Sequence, residues 1–284
     1  MSFGILTVVL GLLYAFVQTR RHLRPQGVVG TNHLRGRGPA HAAMWVVLGV
    51  FAMIPLANAG QPPVVILKLD DLRDKEKARG GFSRVFEVLQ ERKVCAGFGI
   101  IADSCEDDGR KQPYYDLIKK WATSGRVEIW HHGYDHVKGE FSDGDYARQL
   151  DHLQRANRLL AEKCGVELRS FGAPFNASDA ATVQALNAVP QLAVWMFPRV
   201  TTGSKQRLLT IRCNMESTTG VVNYDLFVKQ YSEHADAAYI VVQGHPPYWN
   251  EASHEAFGRI VDFCLKQGCR FSTPANYVTA DATH

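Results

Sequence analysis

Residues 61–284 alternate between short apolar runs and longer segments in which apolar residues recur every three or four positions. The runs are typical of strands buried on both faces, and the recurrence is typical of amphipathic helices. The runs predict seven strands, at 64–70, 95–102, 127–130, 168–173, 192–197, 238–244 and 269–273. The recurrence predicts helices over 82–92, 114–125, 145–165, 178–188 and 251–268.

Strands that alternate with helices and are apolar on both faces indicate a parallel sheet covered by helices, and therefore an α/β fold. Seven strands within residues 61–284 fit a barrel better than a small open sheet. A doubly wound open sheet is the alternative.

The first 60 residues differ in character from the rest of the chain. They contain two apolar segments, 3–17 and 42–59, and five arginines but no lysine, aspartate or glutamate. The second segment follows the arginines and ends in Ala-Asn-Ala, the layout of a secretory signal with cleavage near residue 59. We therefore expect a targeting region at 1–60 and an exported catalytic domain at 61–284, in the periplasm, at the cell surface or secreted. Membrane attachment through either apolar segment is the alternative.

Charge and cysteine content narrow the classes of function. The net charge of +4 includes the five N-terminal arginines, and the remaining 27 basic and 28 acidic residues leave 61–284 at −1. This near-neutral body gives no indication of a nucleic-acid partner. The six cysteines permit disulfides in an exported domain, with buried free thiols as the alternative. They form no CxxC pair, which argues against a cysteine zinc site.

Four predicted strands end in side chains that can carry out chemistry. These are Asp70 and Asp71 after the first strand, His131, His132 and His136 after the third, Pro174, Phe175 and Asn176 after the fourth, and His245 after the sixth. The C-terminal ends of the strands share one face in a parallel barrel, so these residues are expected to converge there.

That set contains the parts of a hydrolytic metal site. One carboxylate and two neutral imidazoles suit zinc or a similar divalent ion, a second carboxylate can act as general base, and a protonated imidazole can act as general acid. Each element alone has an ordinary structural interpretation. An Asp-Asp pair often caps a helix or lies in a turn, and two histidines four residues apart are commonly surface or core residues.

The sequence resembles a known family. In order along the chain it contains KLDDLRD (68–74), EIWHHGYDH (128–136), FGAPFN (171–176) and VVQGHP (241–246). These segments resemble the motifs of the polysaccharide deacetylases, carbohydrate esterase family 4, with a NodB-type domain. The resemblance covers about residues 65–275. It implies a distorted (β/α)7 barrel that uses one divalent transition metal, usually zinc-like, to remove acetyl groups from N-acetylated sugars.

The resemblance also implies roles for individual residues. Asp70 corresponds to the catalytic base and His245 to the general acid. The metal ligands are Asp71, His132 and His136. The substrate-binding residues are expected to be Pro174, Phe175 and Asn176 in the groove wall, with Tyr248 and Trp249 in the exposed loop after the sixth strand. Trp130 and Trp195 lie within apolar runs, which favours packing inside the barrel.

Two positions depart from the family pattern. Leu72 follows the aspartate pair where glycine is usual, and Gly172 stands where the third motif usually carries an arginine that orients the base. We therefore expect Arg73 or Arg199 to orient Asp70 instead.

The sequence thus predicts a metal-dependent hydrolase of C–N bonds other than peptide bonds, which removes acetyl groups from an N-acetylated or O-acetylated polysaccharide. Two alternatives remain at this point. One is a hydrolase of a non-glycan amide or ester on the same scaffold, which the loss of the arginine at 172 favours. The other is a glycan-binding protein without catalysis.

Overall fold

The strands and helices after residue 60 follow the alternation that the sequence predicts. The computed structural model describes residues 60–106 and 109–281, so both N-terminal apolar segments and the cleavage position lie outside the described residues. The strands are β1 (Val64–Leu72), β2 (Ala96–Ile100), β3 (Val127–His131), β4 (Ser170–Phe171), β5 (Val194–Met196), β6 (Arg207–Leu209), β7 (Arg212–Asn214), β8 (Glu216–Thr218), β9 (Val221–Val222) and β10 (Tyr239–Gly244).

The helices lie between these strands, and two follow the last of them. They are α1 (Glu76–Glu91), α2 (Gln112–Thr123), α3 (Tyr146–Cys164), α4 (Ala180–Asn187), α5 (Tyr224–Glu233), α6 (Glu251–Lys266) and α7 (Pro274–Asp281). Within the part of the chain that the structure describes, no helix is both long enough and apolar enough to cross a bilayer.

Eight strands form one parallel sheet in the order β6-β5-β4-β3-β2-β1-β10-β7. β6 and β7 occupy its opposite edges, yet only Thr210 and Ile211 separate them along the chain. Such a short link spans at most about 11 Å, so the sheet must curl until its edges meet. β6 pairs with β5 and β7 pairs with β10. Residues 207–214 therefore act as one bent strand that closes a distorted barrel with seven strand positions.

The predicted fold class, a distorted barrel of parallel strands, is confirmed, and the open doubly wound sheet is not what forms. The predicted strand at 269–273 is wrong, because Phe271 makes only an isolated bridge with Val65. The bent strand at 207–214 was missed. Its exposed Arg207 and Arg212 interrupt the apolar pattern by which a buried strand is found. Helices α5 and α7 were missed as well.

The barrel interior is a packed core. Side chains alternate between the two faces of a strand, so on β1 Val65 and Leu67 face the helices while Ile66 and Lys68 face inward. The inward cluster consists of Ile66, Trp130, Val194, Met196, Phe197, Leu209 and Val241. Gly97 of β2 leaves room for Trp130, since a Cβ there would lie 2.8 Å from Trp130 Cδ1.

All six cysteines are free thiols in the structure. Cys105 is hydrogen-bonded to Cys164, and Cys264 to Cys269, so two pairs lie in contact. This arrangement corresponds to the buried-thiol alternative.

Candidate active site

A bulge at the end of β1 brings two consecutive carboxylates to the mouth of the barrel. The pairing of β1 with β2 shifts register between Leu69 and Leu72, and Asp71 has a φ of 72°. Neighbouring residues of a regular strand face opposite ways, so this irregularity is what lets Asp70 and Asp71 line the same cavity. Aspartate tolerates a positive φ better than most residues. Leu72 points into the apolar core and is fully buried.

His132 follows β3 and is held by two backbone carbonyls. Its N–H donates to the Ile100 oxygen at 3.0 Å, and its Nδ1 lies 2.8 Å from the Gly172 oxygen. Because a carbonyl oxygen only accepts, Nδ1 carries the ring proton and Nε2 keeps its lone pair. That Nε2 lies 3.3 Å from Asp71 Oδ1.

His136 is presented by a loop that wraps around the buried carboxylate of Glu140. Glu140 accepts the Tyr134 N–H at 2.5 Å and the His136 N–H at 2.9 Å, and it lies 3.0 Å from His152 Nδ1. These bonds stabilise the loop in which His136 has a φ of 60°. They also direct His136 Nε2 to within 3.1 Å of Asp71 Oδ1. The sequence gives no signal for Glu140, because this residue lies in a polar loop without periodicity.

Three donor atoms therefore meet at one point: Asp71 Oδ1, His132 Nε2 and His136 Nε2 lie within 4.8 Å of one another. Asp71 Oδ1 is buried and has no hydrogen-bond partner. A buried oxygen without a donor, facing two nitrogen lone pairs, is unfavourable unless a cation binds there. One carboxylate oxygen and two imidazole nitrogens suit zinc or another divalent transition metal. The donors present thus fit the predicted metal.

The electrostatics of Asp71 agree with a ligand role. Burial raises the pKa of Asp71, but positive charge at the imidazoles of His132 and His136, which either ring protons or a bound cation supply, outweighs burial and holds the pKa well below its ordinary value. The carboxylate is therefore ionised over the whole physiological range, as metal binding requires.

A second group of donors, Asp135, Glu140 and His152, lies beside the first but serves another purpose. Both Glu140 oxygens already accept backbone N–H groups of the loop. The hydrogen bond to Glu140 raises the pKa of His152, which favours a charged ring that cannot bind a metal. We therefore interpret this group as the support of the loop.

Asp70 is held by a buried ammonium group on its own strand. Lys68 Nζ lies 2.8 and 2.6 Å from the two Asp70 oxygens, and Gln243 Nε2 donates to Oδ2 at 2.6 Å. Lys68 is fully buried, with Nζ 4.8 Å from the centroid of the Trp130 ring. Burial raises the pKa of Asp70, but the Lys68 charge and two imidazoles hold it below its ordinary value. Lys68 and Asp70 therefore form a buried ion pair.

The expectation that Arg73 or Arg199 orients Asp70 is wrong. Arg73 reaches Asp103 at 3.4 Å, and Arg199 Nε donates to the Asn176 oxygen at 2.9 Å. Both guanidinium groups are thus engaged away from the base, and the buried Lys68 occupies the position beside it.

Gly172 provides the space that Lys68 occupies. A Cβ at position 172 would lie 3.0 Å from Lys68 Cε and 2.9 Å from Trp130 Cζ3. A large side chain on the third motif and a lysine on the first strand therefore exclude each other. The cation beside the base is supplied by β1 in this chain, which explains why the residue after Phe171 is glycine.

His245 is oriented by Glu216 of the antiparallel β8–β9 ribbon. Glu216 accepts the His245 N–H at 2.8 Å, lies 2.6 Å from its Nδ1, and accepts the Trp249 Nε1–H at 2.5 Å. His245 Nε2 consequently faces the site, 3.9 Å from Asp70 Oδ2. Burial lowers the pKa of His245, but Glu216 and Asp70 outweigh burial and raise it. Glu216 was missed because its ribbon lies outside the barrel strands that carry the motifs.

Of the expected substrate-binding residues, Phe175, Asn176 and Tyr248 border the site, whereas Pro174 and Trp249 do not. Phe175 and Tyr248 are 56% and 61% exposed, and the Phe175 ring lies 4.7 Å from that of His136. Asn176 also borders the site and donates to Gln243 at 3.1 Å. Pro174 is buried behind the site, in the 3-10 turn that carries Phe175 and Asn176.

The expectation of an exposed Trp249 is wrong. Its side chain is 8% exposed, packs against Phe257 with ring centroids 5.1 Å apart, and donates to Glu216. Trp249 therefore supports the residue that orients His245. Trp130 and Trp195 are fully buried, in agreement with packing inside the barrel.

The structure brings most of the predicted residues to one cavity of about 330 Å³ at the mouth of the barrel. Its lining comprises Asp70, Asp71, His132, His136, Phe175, Asn176, Arg212, Thr219, Gln243, His245 and Tyr248. Arg212, Thr219 and Gln243 were not predicted. Gln243 lies two residues before His245, and Arg212 belongs to the missed strand.

A parallel barrel whose strand ends carry paired carboxylates and histidines is the architecture of a class of proteins that can bind a metal at the barrel mouth. Residues 57–194 match the family model of the polysaccharide deacetylases. This match confirms the resemblance drawn from the motifs and is consistent with a divergent, NodB-type member of that family. A search of curated proteins found no match.

Solved structures with the same fold are similar to this chain at low sequence identity. A protein of Mycobacterium smegmatis described as a polysaccharide deacetylase has a TM-score of 0.61 and 15% identity, over 78% of this chain and 90% of that one. A family 4 acetyl xylan esterase of Clostridium thermocellum, in complex with a cobalt ion, has a TM-score of 0.56 and 16% identity, over 77% and 92% of the two chains.

A family pseudoenzyme of Bacillus anthracis is also similar, with a TM-score of 0.54 and 14% identity. The match covers 76% of this chain and 65% of the Bacillus anthracis chain, so it spans less than two thirds of that protein. At these identities the likeness establishes the fold.

The donor set leads to a prediction about metal binding. We expect the purified protein, offered zinc or cobalt, to hold close to one ion per chain by elemental analysis. His132→Ala should lower the affinity at least about 100-fold, because it removes one of three protein ligands. His234→Ala, outside the cavity, is the matched control. Equal metal content in all three proteins would contradict the assignment of the ligands.

The buried ion pair leads to a prediction about stability. Lys68→Met keeps an unbranched side chain without the ammonium group and leaves the Asp70 charge buried and unpaired, which should lower the free energy of unfolding by about 3–5 kcal/mol. The double variant Lys68→Met/Asp70→Asn removes both charges and should recover most of that loss. Urea denaturation of the three proteins measures both effects. If the single variant is as stable as the wild type, the pair is not ionised.

Proposed function

We propose that this protein is a metal-dependent hydrolase that removes acetyl groups from an N-acetylated or O-acetylated glycan, with zinc as the favoured metal. The observation that carries the proposal is the convergence of Asp70, Asp71, His132, His136 and His245 on one cavity. Each of them has the partners that its assigned role requires. The match to the family model supports the reaction class.

Asp71, His132 and His136 would hold the metal. A divalent ion at this position supplies Lewis acidity toward the acetyl carbonyl and lowers the pKa of water toward about 7. The remaining chemistry falls to residues of the chain.

Asp70 is suited to accept the proton of the attacking water. Lys68 and Gln243 keep its carboxylate ionised and fixed in orientation, with Oδ2 directed toward His132 and His245. A base held in one orientation loses no entropy when the transition state forms. The same contacts make it a weaker base than a solvated carboxylate, so its efficiency relies on position.

His245 is suited to protonate the departing amine or alkoxide. Its Nδ1 is bound to Glu216, so the proton to be transferred sits on Nε2, which faces the cavity. The raised pKa of His245 keeps a protonated fraction available near neutral pH. Base and acid thus face the same space from the C-terminal ends of two neighbouring strands, β1 and β10.

Exposed aromatic side chains suggest how a sugar would be seated. Phe175 and Tyr248 border the cavity and are more than half exposed, which leaves their ring faces free to stack on a pyranose. These residues favour a glycan over a small acetylated molecule as substrate. We also propose that residues 1–60 direct export or membrane attachment of the domain at 61–284.

One observation favours a second candidate function, a glycan-binding protein without catalysis. Oδ2 of Asp70 accepts from both Lys68 and Gln243, which lowers its proton affinity. A similar fold occurs in the Bacillus anthracis pseudoenzyme. Turnover measurements separate the two functions.

The decisive experiment is release of acetate from a panel of substrates by metal-loaded protein. The panel contains chito-oligosaccharides, acetylated xylan, a small acetyl ester and an N-acetyl-lysine peptide, which cover both glycan and non-glycan substrates. We expect turnover of a glycan, and we expect Asp70→Asn to lower kcat/KM about 1,000-fold with metal content retained. Asp151→Asn, an exposed residue of α3, is the control. Binding of glycan without acetate release would support the second candidate instead.

The contact between Glu216 and His245 leads to a prediction about pH. As the acid, His245 must be protonated, so activity should fall as the pH rises through its pKa. Glu216→Gln removes the negative charge that raises this pKa. The alkaline limb of the kcat/KM profile should therefore move to lower pH by about one unit. An unchanged alkaline limb would show that another group sets it.

A further inference from the structure

A second cavity, of about 720 Å³, opens from the proposed catalytic cavity. The two share Asp71, His136 and Tyr248 in their linings, so they form one continuous groove. The outer cavity lies against the N-terminal part of α1 and the turn after β10. Among its described lining residues, Asp71 is the one carboxylate. Four basic side chains line it: Arg73, Lys75, Lys77 and Arg84.

Half of this positive charge has no partner in the protein. Arg84 is paired with Glu251 at 2.6 Å, and Arg73 makes a long contact with Asp103 at 3.4 Å. Lys75 and Lys77 have no ion pair or side-chain hydrogen bond with any described residue, and both are exposed. Their charge is therefore available to a bound molecule.

The position of the two lysines is unfavourable for the fold. Lys75 is the N-cap of α1 and makes no side-chain capping bond, and Lys77 lies in the first turn. The N-terminus of a helix carries a partial positive charge, so cations there destabilise it, and Ser, Thr, Asp or Asn are the favoured caps. Glu76, between the two lysines, offsets only part of this charge. A departure from a local rule of this kind is typical of a functional position.

A further cation borders the catalytic cavity on its other side. Arg212 of β7 donates to Asn214 at 2.6 Å and lies 5.0 Å from the centroid of the Phe197 ring. No described carboxylate pairs with it. Partial burial of the guanidinium lowers the pKa of Arg212 against the opposing effect of the Asp70 charge, which reflects the cost of removing part of the group from water. An anion bound in the cavity would offset that cost.

We propose that the substrate is an acidic glycan, with carboxylate, sulfate or phosphate groups on sugars flanking the acetylated one. One anionic group would contact Lys75, Lys77 and Arg73 in the outer cavity, and another would contact Arg212. This inference rests on the proposed deacetylase function. The domain as a whole is near neutral, so the attraction comes from these local charges.

The test compares substrates that differ only in charge. One pair is an oligosaccharide of alternating N-acetylglucosamine and glucuronate, and the same material with its carboxylates reduced to alcohols. The other pair is chitotetraose with and without 6-O-sulfate. We expect kcat/KM for the better acidic member to exceed that of its neutral partner about tenfold, and the preference to shrink as KCl rises from about 50 to 500 mM. Comparing the two pairs identifies the anionic group.

Variants of the full-length protein assign the preference to residues. Lys75→Gln/Lys77→Gln should lower kcat/KM on the acidic substrate about tenfold, mainly through KM, and so reduce the ratio of acidic to neutral activity. Lys229→Gln/Lys266→Gln changes the net charge equally at exposed sites outside both cavities, and should leave the ratio unchanged. The first variant removes cations from a helix N-terminus, so it should not destabilise the fold.

The outcomes separate this inference from the proposed function. Equal turnover of both members of each pair would overturn the acidic-substrate proposal and leave the deacetylase intact. Absence of acetate release from every substrate would contradict the deacetylase. In that case calorimetric titration with the glucuronate oligosaccharide decides whether the groove binds an acidic glycan. Binding that weakens in the Lys75/Lys77 variant supports an acidic-glycan site, and equal or absent binding overturns it.

Discussion

The ion pair between Lys68 and Asp70 is the constraint around which the mouth of this barrel is arranged. Two charges inside a packed core cost several kcal/mol of solvation unless each has a close partner. Lys68 Nζ meets both oxygens of Asp70, and its stem fits between Trp130 and Gly172. The orientation of the carboxylate is therefore set by core packing. Substitution of Gly172 would disturb the ammonium group first and the carboxylate through it.

The bulge after Leu69 then gives two adjacent aspartates opposite environments. Asp70 is surrounded by donors, from Lys68 and Gln243, whereas Asp71 faces the lone pairs of two imidazoles. A carboxylate with its hydrogen bonds satisfied is suited to exchange a proton in a fixed direction. A carboxylate with an unsatisfied buried oxygen is suited to bind a cation. The surroundings of each residue thus agree with the proposed division into base and ligand.

The sequence predicts this fold and the centre of the site because both depend on short-range patterns. Apolar runs locate the strands, and parallel strands share one end, so Asp70, His132 and His245 must converge once the sheet is known to be parallel. The strand at 207–214 escaped detection because it is broken into two short pieces with exposed arginines. The sequence predicted which polar residues converge at the barrel mouth better than it predicted the contacts that hold them in place.

The supporting residues could not be predicted, since each acts through a tertiary contact. In the sequence, Lys68 is a polar residue within an otherwise apolar strand, and no local pattern indicates that it pairs with Asp70. The pairing is evident only in the structure, where Gly172 leaves room for the lysine side chain. Glu216 lies on the two-stranded ribbon β8–β9, outside the barrel and distant in sequence from His245. Trp249 has the flanking residues of an exposed loop, but the turn at 246–248 folds its ring back onto Phe257. Side-chain direction in loops is not encoded in local composition.

The formal charges of the groove connect its two cavities. Asp70 cancels Lys68, and a protonated His245 cancels Glu216, so the inner cavity retains the charge of Asp71 and of Arg212. A divalent cation on Asp71 would leave that cavity positive, as the outer cavity already is through Lys75 and Lys77. Metal binding and attraction of an anionic chain would then reinforce each other, because the charges of both cavities contribute to one electrostatic potential along the groove. Without such a cation the charges of Asp71 and Arg212 cancel, so the attraction of an anionic chain would come from Lys75 and Lys77 at the rim.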